Sequence, residues 1–198
     1  MLPSRLLVPV LLAALTLTLT GCGEEDADPS EAPRTNIEAR GESGAADREA
    51  VRLDDPEPAP DVTVRTMEGD TISLARSTGD VLLVNFWATW CPPCRKEIPD
   101  LVSLQTDLGP EGLTVIGVAT DDEGREVVRP FVNEHGVNYP IVIDSTQTLQ
   151  SELGPVYGLP TTLLINPKGQ VVKRVVGIFP ADRYRPVLHR MLESAPAS

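Results

Sequence analysis

Val81-Leu82-Leu83-Val84-Asn85-Phe86-Trp87-Ala88-Thr89-Trp90-Cys91-Pro92-Pro93-Cys94-Arg95-Lys96-Glu97 is the stretch on which the reading of this chain turns. Its first part, Val81–Trp87, is an apolar run of the kind found in a central strand buried on both faces. From Pro92 to about Leu108 the apolar residues Ile98, Leu101, Val102, Leu104 and Leu108 recur at helical spacing. Cys91 therefore falls where a buried strand passes into a helix. The first turn of a helix offers unpaired N–H groups and a partial positive charge. A thiolate placed there is stabilised, and its pKa falls below the free value of about 8.5. Pro92 suits the first helical position, because its missing N–H would have had no partner. The step of three residues to Cys94 is almost one helical turn, so both sulfurs share a face within bonding reach. Cys91, at the exposed helix start, is expected to attack, and Cys94, deeper, to resolve.

Two blander readings of the pair stay open on the residues alone. A zinc site needs four ligands, or three plus water. Only His135, His189 and Cys22 remain to supply them, each remote in sequence. A static disulfide closing so small a loop would constrain the unfolded chain little.

Outward from this junction the same alternation continues. Val62–Arg65 and Thr71–Leu74 read as short strands around Glu68-Gly69-Asp70. Leu113–Ala119 reads as a second buried strand, Glu123–His135 as a helix that Pro130 splits or kinks, and Ile141–Ile143 as a third strand. Thr148–Leu153 is a short helix. Thr162–Ile165 and Val171–Val176 flank the turn signal Asn166-Pro167-Lys168-Gly169. A last helix covers about Ala181–Leu192, its start blurred by Pro186. Strands alternating with helices and closing on a hairpin give an α/β class with a mixed sheet.

The N-terminal part is of another kind. Arg5 precedes an apolar run, Leu6–Leu19, too short for a spanning helix and suited to the core of an export signal. The run ends in Leu19-Thr20-Gly21-Cys22, which resembles the bacterial lipoprotein box, and Cys22 is the expected lipidation site. Residues 23–60 hold twelve Asp/Glu and four Arg and no aromatic. Such a segment cannot bury enough apolar surface to offset the entropy of ordering. It reads as a tether of roughly 30–40 Å, longer when its charges repel. Asn36–Val51 has the composition of a transient helix. The expected organisation is a signal peptide over 1–21, a tether over 22–57 and one domain over 58–198.

The whole chain is 198 residues with net charge −12 and a pI near 4.6, which argues against binding to nucleic-acid phosphates. Three cysteines are too few for a disulfide-stapled miniprotein. Since residues 23–60 account for −8 of the charge, no strongly acidic face on the domain follows from the total.

The segment Phe86–Cys94 resembles the active-site segment of thioredoxin-like proteins, and more closely that of membrane-tethered TlpA/ResA/DsbE-type thiol–disulfide oxidoreductases of the redoxin superfamily. The resemblance covers about residues 58–193. It implies a thioredoxin-like α/β fold: a central mixed β-sheet flanked by helices, with an N-terminal β-hairpin and a strand–helix insertion at Thr120–Tyr139. Tyr157-Gly158-Leu159-Pro160-Thr161-Thr162 carries the second signature. By this likeness Pro160 is cis and lies beside the cysteines, and Leu159, Pro160 and Thr161 bind the substrate chain together with Trp90 and Pro92. Pro99 matches a proline that kinks the active-site helix. Cytoplasmic thioredoxins carry a buried Asp where this chain has Asn85. The TlpA/ResA subgroup has Asn there and a Glu matching Glu97, which implies that Glu97 moves the proton of Cys94. Trp87 and Trp90 are expected to serve mostly in packing, and Arg95 and Lys96 to be surface charges.

The resemblance implies an extracytoplasmic, membrane-anchored enzyme, a reductant of exported protein disulfides such as those of apocytochrome c. A membrane thiol protein would supply electrons. No metal or other cofactor is expected, nor nucleic acid, and the chain should act as a monomer held to the bilayer by Cys22. The alternatives are a redoxin-type peroxidase and a non-enzymatic lipoprotein that carries copper or only binds partners. Redoxin-type peroxidases show Pro-x-x-x-Thr-x-x-Cys, whereas Val84 and Ala88 stand at those positions before Cys91. Copper carriers of similar fold use a wider cysteine spacing and a nearby His, which His135 and His189 do not obviously supply.

Overall fold

The computed structural model describes residues 54–75, 80–154 and 156–195. The expected signal peptide, Cys22, the tether as far as residue 53 and the stretch Asn36–Val51 lie outside the described residues. The elements are β1 (Glu57–Pro58), β2 (Thr63–Arg65), β3 (Thr71–Ser73), β4 (Val81–Trp87), α1 (Pro92–Leu108), β5 (Leu113–Ala119), α2 (Arg125–Glu134), β6 (Ile141–Ile143), α3 (Thr148–Glu152), β7 (Thr161–Ile165), β8 (Gln170–Val176) and α4 (Ala181–Glu193). Among the described residues no helix is long and apolar enough to cross a membrane.

All of β4 is buried, as its composition requires. It pairs in parallel with β5 and antiparallel with β7. The six-stranded sheet runs β1-β8-β7-β4-β5-β6. Successive residues of a strand point to opposite faces, and β4 divides accordingly. Val81, Leu83 and Trp87 join Ile98, Leu101 and Leu104 of α1 and Leu188 of α4 in one cluster. Leu82, Val84 and Phe86 join Val64, Leu74, Leu149 and Leu163 in the other. Each fully buried Leu or Phe contributes about 1.5–3 kcal/mol through burial alone. By the same parity Asn85 faces α1, a polar residue on an otherwise apolar side.

The β2–β3 hairpin forms a separate two-stranded sheet. It meets the edge of the main sheet at β6, where Thr66 bridges to Val142 and the Met67 N–H donates to the Ile141 carbonyl at 2.6 Å. An edge that would otherwise offer unpaired backbone groups is thus partly covered.

Three expectations need correction. The tether was expected to reach residue 57, but its last residues belong to the sheet: Glu57 opposes Val171, and the Asp54 N–H donates to the Val172 carbonyl at 2.7 Å. Lys173 Nζ adds an ion pair with Asp54 at 2.7 Å, which holds that carboxyl below its usual range. Edge pairing uses backbone groups, so it needs none of the apolar residues that composition counts. Second, Thr120–Tyr139 contains a helix, α2, but no strand, and the next strand, β6, begins only at Ile141. Third, Pro130 and Pro186 neither split α2 nor delay α4. A proline costs a helix interior about 3 kcal/mol, and burial of Val128, Phe131 and Val132 in α2 and of Tyr184, Val187 and Leu188 in α4 offsets it.

Gly169 closes the β7–β8 turn with φ of +70°, and a Cβ there would lie 2.2 Å from the Ala75 carbonyl oxygen. Backbone rather than a flexible side chain stands in the way. Gly169→Ala should lower the stability measured by urea unfolding by more than about 1 kcal/mol, while Lys168→Ala, on the exposed neighbour, should leave it nearly unchanged.

Candidate active site

The chain leaves β4 at Trp87, crosses Ala88–Trp90 and enters α1 with Cys91 as the N-cap residue. Cys91 donates its N–H to the Ala88 carbonyl at 3.2 Å, and its Sγ accepts the Cys94 N–H at 3.3 Å. Pro92 takes the first helical position, as expected, and α1 runs unbroken through Pro99. Cys91 and Cys94 are joined by a disulfide, with their Cα atoms 5.3 Å apart. Cys94 is fully buried. Cys91 was expected to be exposed but is only 3% so. The bond to Cys94 and the Cys94 N–H that it accepts hold the outer sulfur at the first turn, and Cys91 is only slightly more exposed than Cys94. The expected exposure is therefore wrong for the oxidised site.

Glu97 lies one turn beyond Cys94, and it is 1% exposed rather than solvated. Asn85 Nδ2 donates to Glu97 Oε1 at 2.8 Å and to Thr162 Oγ1 at 3.0 Å. The Phe179 N–H donates to Glu97 Oε2 at 2.7 Å. Loss of water pushes the Glu97 carboxyl up to about 7, a rise that the Phe179 and Asn85 hydrogen bonds only partly oppose and that the Asp100 charge reinforces. A carboxyl near 7 exchanges protons at neutral pH. Tyr139 is also buried, and burial together with the Glu97 charge raises its phenol.

The Leu159–Pro160 peptide is cis. β7 opposes β4 with Thr161 against Phe86 and Thr162 against Asn85, so Pro160 reaches the sheet end where Cys91 sits. The Gly177 N–H donates to the Pro160 carbonyl at 2.8 Å, and the Thr161 hydroxyl to the Gly158 carbonyl at 2.7 Å. Leu159 is half-buried, Pro160 and Thr161 are buried, and Pro92 is exposed. Trp90, expected mostly to pack, is 65% exposed. Trp87 does pack, with its ring 5.3 Å from that of Phe131. Arg95 is exposed and its guanidinium lies 5.7 Å from the Phe131 ring centroid, while Lys96 is exposed outright.

The sequence-derived residues Cys91, Cys94, Glu97, Leu159, Pro160 and Thr161 thus gather at one end of the sheet. His135 caps the end of α2, with Nδ1 2.9 Å from the Phe131 carbonyl, and His189 pairs with Glu111 on α4's outer side. Three partners went unread: Thr162, the Phe179 N–H and Asp121. A backbone donor such as Phe179 leaves no mark in sequence. Asp121, two residues beyond a buried strand, was the one legible signal.

Residues 56–174 match the model of the AhpC/TSA family. The chain belongs to the AhpC/TSA family. Among curated proteins it is 36% identical over 132 residues to the thiol-disulfide oxidoreductase ResA of Bacillus thuringiensis, covering 67% of this chain and 74% of that one. It is 31% identical over 125 residues to sporulation thiol-disulfide oxidoreductase A of Bacillus subtilis, covering 62% and 74%. A crystal structure of a thiol:disulfide interchange protein of the thioredoxin family from Chlorobium tepidum superposes with a TM-score of 0.61 at 32% identity, covering 70% of this chain and 97% of that one. This AhpC/TSA-family chain has the thioredoxin-like fold, and it is a thiol–disulfide oxidoreductase.

Burial of Glu97 makes stability depend on pH in a defined direction. Its folded pKa, about 7, lies above the ordinary 4.5, so the folded state holds this proton more tightly than the unfolded chain. The contribution is full below about pH 4.5 and is lost as pH rises to about 7, a loss of roughly 3 kcal/mol. Urea unfolding of the oxidised protein should show this decline, and Glu97→Gln should remove most of it.

Proposed function

We propose that this protein is an extracytoplasmic reductant of disulfides in exported proteins, held to a membrane through a lipid on Cys22. The observation that carries the reading is the Cys91–Cys94 couple at the start of α1, with cis Pro160 at the same end of the sheet and a buried, titratable Glu97 one turn behind. In the reduced protein, the Cys91 thiolate attacks one sulfur of a client disulfide. A Cys91–client mixed disulfide forms, and the other client sulfur leaves as a thiolate and takes up a proton. Glu97 accepts the Cys94 proton, and the Cys94 thiolate attacks Cys91 Sγ. The client's second sulfur leaves, the Cys91–Cys94 bond closes, and two electrons have passed to the client. A membrane dithiol donor then restores the reduced pair.

Extended client backbone beside Leu159–Thr161 would bring its disulfide to Cys91, with Trp90 and Pro92 as the exposed apolar surface around it. Apocytochrome c is a suitable client class, because its haem-attachment cysteines must be reduced before use. The protein acts as a monomer on this reading. Peroxidase chemistry gains nothing from the site, since Val84 and Ala88 offer no polar group where that chemistry would need one.

With dithiothreitol supplied, the purified protein should reduce insulin, and Cys91→Ser should lose at least about a hundredfold of that rate. Cys94→Ser expressed in the native envelope should leave clients covalently attached to Cys91. Recovery of no mixed disulfide would count against the client reading. Cys22→Ser should move the protein from the membrane fraction to the soluble one.

A further inference from the structure

β5 ends at Ala119, and the next two residues are polar yet buried. Thr120 donates its N–H and its hydroxyl to the Trp87 carbonyl, at 3.0 and 3.2 Å. Asp121 has no exposed surface. Its two carboxylate oxygens accept the Thr89 N–H at 3.1 and 3.2 Å, and Oδ1 accepts the Thr89 hydroxyl at 2.5 Å. The loop Ala88–Trp90, the only covalent link between the central strand and Cys91, is therefore pinned to the end of the neighbouring strand.

A neutral amide could pin it equally well, so the carboxylate adds something that loop geometry does not require. Two residues span at most about 7 Å, and a hydrogen bond adds about 3 Å. The Asp121 charge is thus within about 10 Å of the Cys91 backbone, and burial keeps solvent ions from screening it. The other charges about the cysteines are differently placed. On α1, Arg95, Lys96 and Asp100 are exposed and Glu97 is buried. After β5, Asp122 and Glu123 are exposed. Arg125 of α2 has its guanidinium on the Met67 carbonyl, which Arg129 also approaches. Residues 156–160 and 177–180 hold no charged side chain, and their one titratable group, Tyr157, is exposed. The buried charged residues at this end are all carboxylates: Glu97, Asp121 and Asp144, the last with its N–H on the Ala119 carbonyl and its carboxylate on the Leu149 and Gln150 N–H groups.

We propose that Asp121 is a positioning residue of the exchange reaction: it fixes the loop that delivers Cys91 to the cap of α1, and its buried negative charge opposes the Cys91 thiolate and so biases the Cys91–Cys94 couple toward the disulfide. A like charge disfavours ionisation of its neighbour. Stabilising the reduced form makes such a couple more oxidising, and destabilising it makes the couple more reducing. The helix start and Asp121 thus act on the same sulfur in opposite senses. A unit charge at about 10 Å across an effective dielectric of about 20 changes an ionisation constant roughly tenfold.

The test uses the protein with Cys22→Ser throughout, so that only the active-site sulfurs react. Asp121→Asn keeps the shape, with its amide oxygen accepting the Thr89 N–H and its amide nitrogen donating to the Thr89 hydroxyl, and removes the charge. In a Cys94→Ser background, the midpoint of Cys91 alkylation by iodoacetamide against pH should move to lower pH. In the two-cysteine protein at pH 9, the equilibrium constant for disulfide formation against glutathione should fall by threefold to tenfold. Thr89→Val removes one hydroxyl bond and keeps the carboxylate. It should lower the urea midpoint without shifting alkylation to lower pH. Unchanged alkylation and equilibrium in Asp121→Asn would overturn the proposal, as would an equal shift in Thr89→Val, which would assign the effect to a loosened loop. The proposal rests on the exchange chemistry and deepens the reductant reading, yet the two fail separately. Failure to reduce insulin beside a clear Asp121→Asn shift defeats the reductant reading alone, and the converse result defeats the role of Asp121 alone.

Discussion

A strand with no exposed residue must be covered on both faces, and β4 is such a strand. That constraint sets the position of everything at the redox end. Alternation sends Val81, Leu83 and Trp87 toward α1, so α1 has to pack directly behind the strand it follows. The short connection from Trp87 to Pro92 leaves Cys91 no other place than the helix cap. On the opposite side, the antiparallel register with β7 fixes Thr161 against Phe86 and thereby carries Pro160 to the same end. The cysteines and Pro160, nearly 70 residues apart in sequence, share one end of the sheet because β4 runs on covalently into Cys91 and its antiparallel ladder with β7 places Pro160.

Asn85 is where this apolar scaffold is interrupted, and the interruption is matched rather than merely tolerated. A buried amide without partners costs roughly 1–3 kcal/mol. Asn85 avoids that by donating to Glu97 and Thr162, and Glu97 in turn is held by the Phe179 N–H. The Glu97 carboxylate joins β4, α1 and the loop after β8, and the Asn85 amide extends the link to β7. Its proton affinity is the balance of lost water against two donated hydrogen bonds. A fully solvated Glu would have no such balance, and a pair with Arg would push it the other way.

The sequence was most legible where apolar periodicity and covalent spacing decide the outcome. β4, α1, β5 and β6 fall on the boundaries read from pattern, and the Cys91–Pro92–Cys94 geometry follows from helical spacing. It was least legible where backbone groups do the binding. Glu57–Pro58 pairs with β8 through main-chain atoms in a segment whose Pro and Asp content argues for no structure. Phe179 acts through its N–H, which every residue but proline has. Prolines 130 and 186 misled because local propensity, worth about 3 kcal/mol each, competes with several buried side chains of comparable value. Glu97 was found only through resemblance, since nothing in its spacing alone separates a buried acid from a solvated one on an amphipathic helix.

The distribution of buried charge at the site has a consequence for direction. The helix start favours a thiolate at Cys91 through backbone dipoles, a contribution that falls off within one turn. The buried side chains at this end offer no compensating cation, because Arg95 and Lys96 stay in solvent, where their fields are screened. What is buried instead is Glu97 behind Cys94 and Asp121 behind Thr89. A site built to hoard electrons as a stable thiolate would place positive charge or extra donors around the outer sulfur. Here the dehydrated groups are acids, and on the role proposed for Asp121 they oppose the reduced state. In the direction proposed, transfer of two electrons to a client relieves that opposition by turning an ionisable sulfur into a neutral bond.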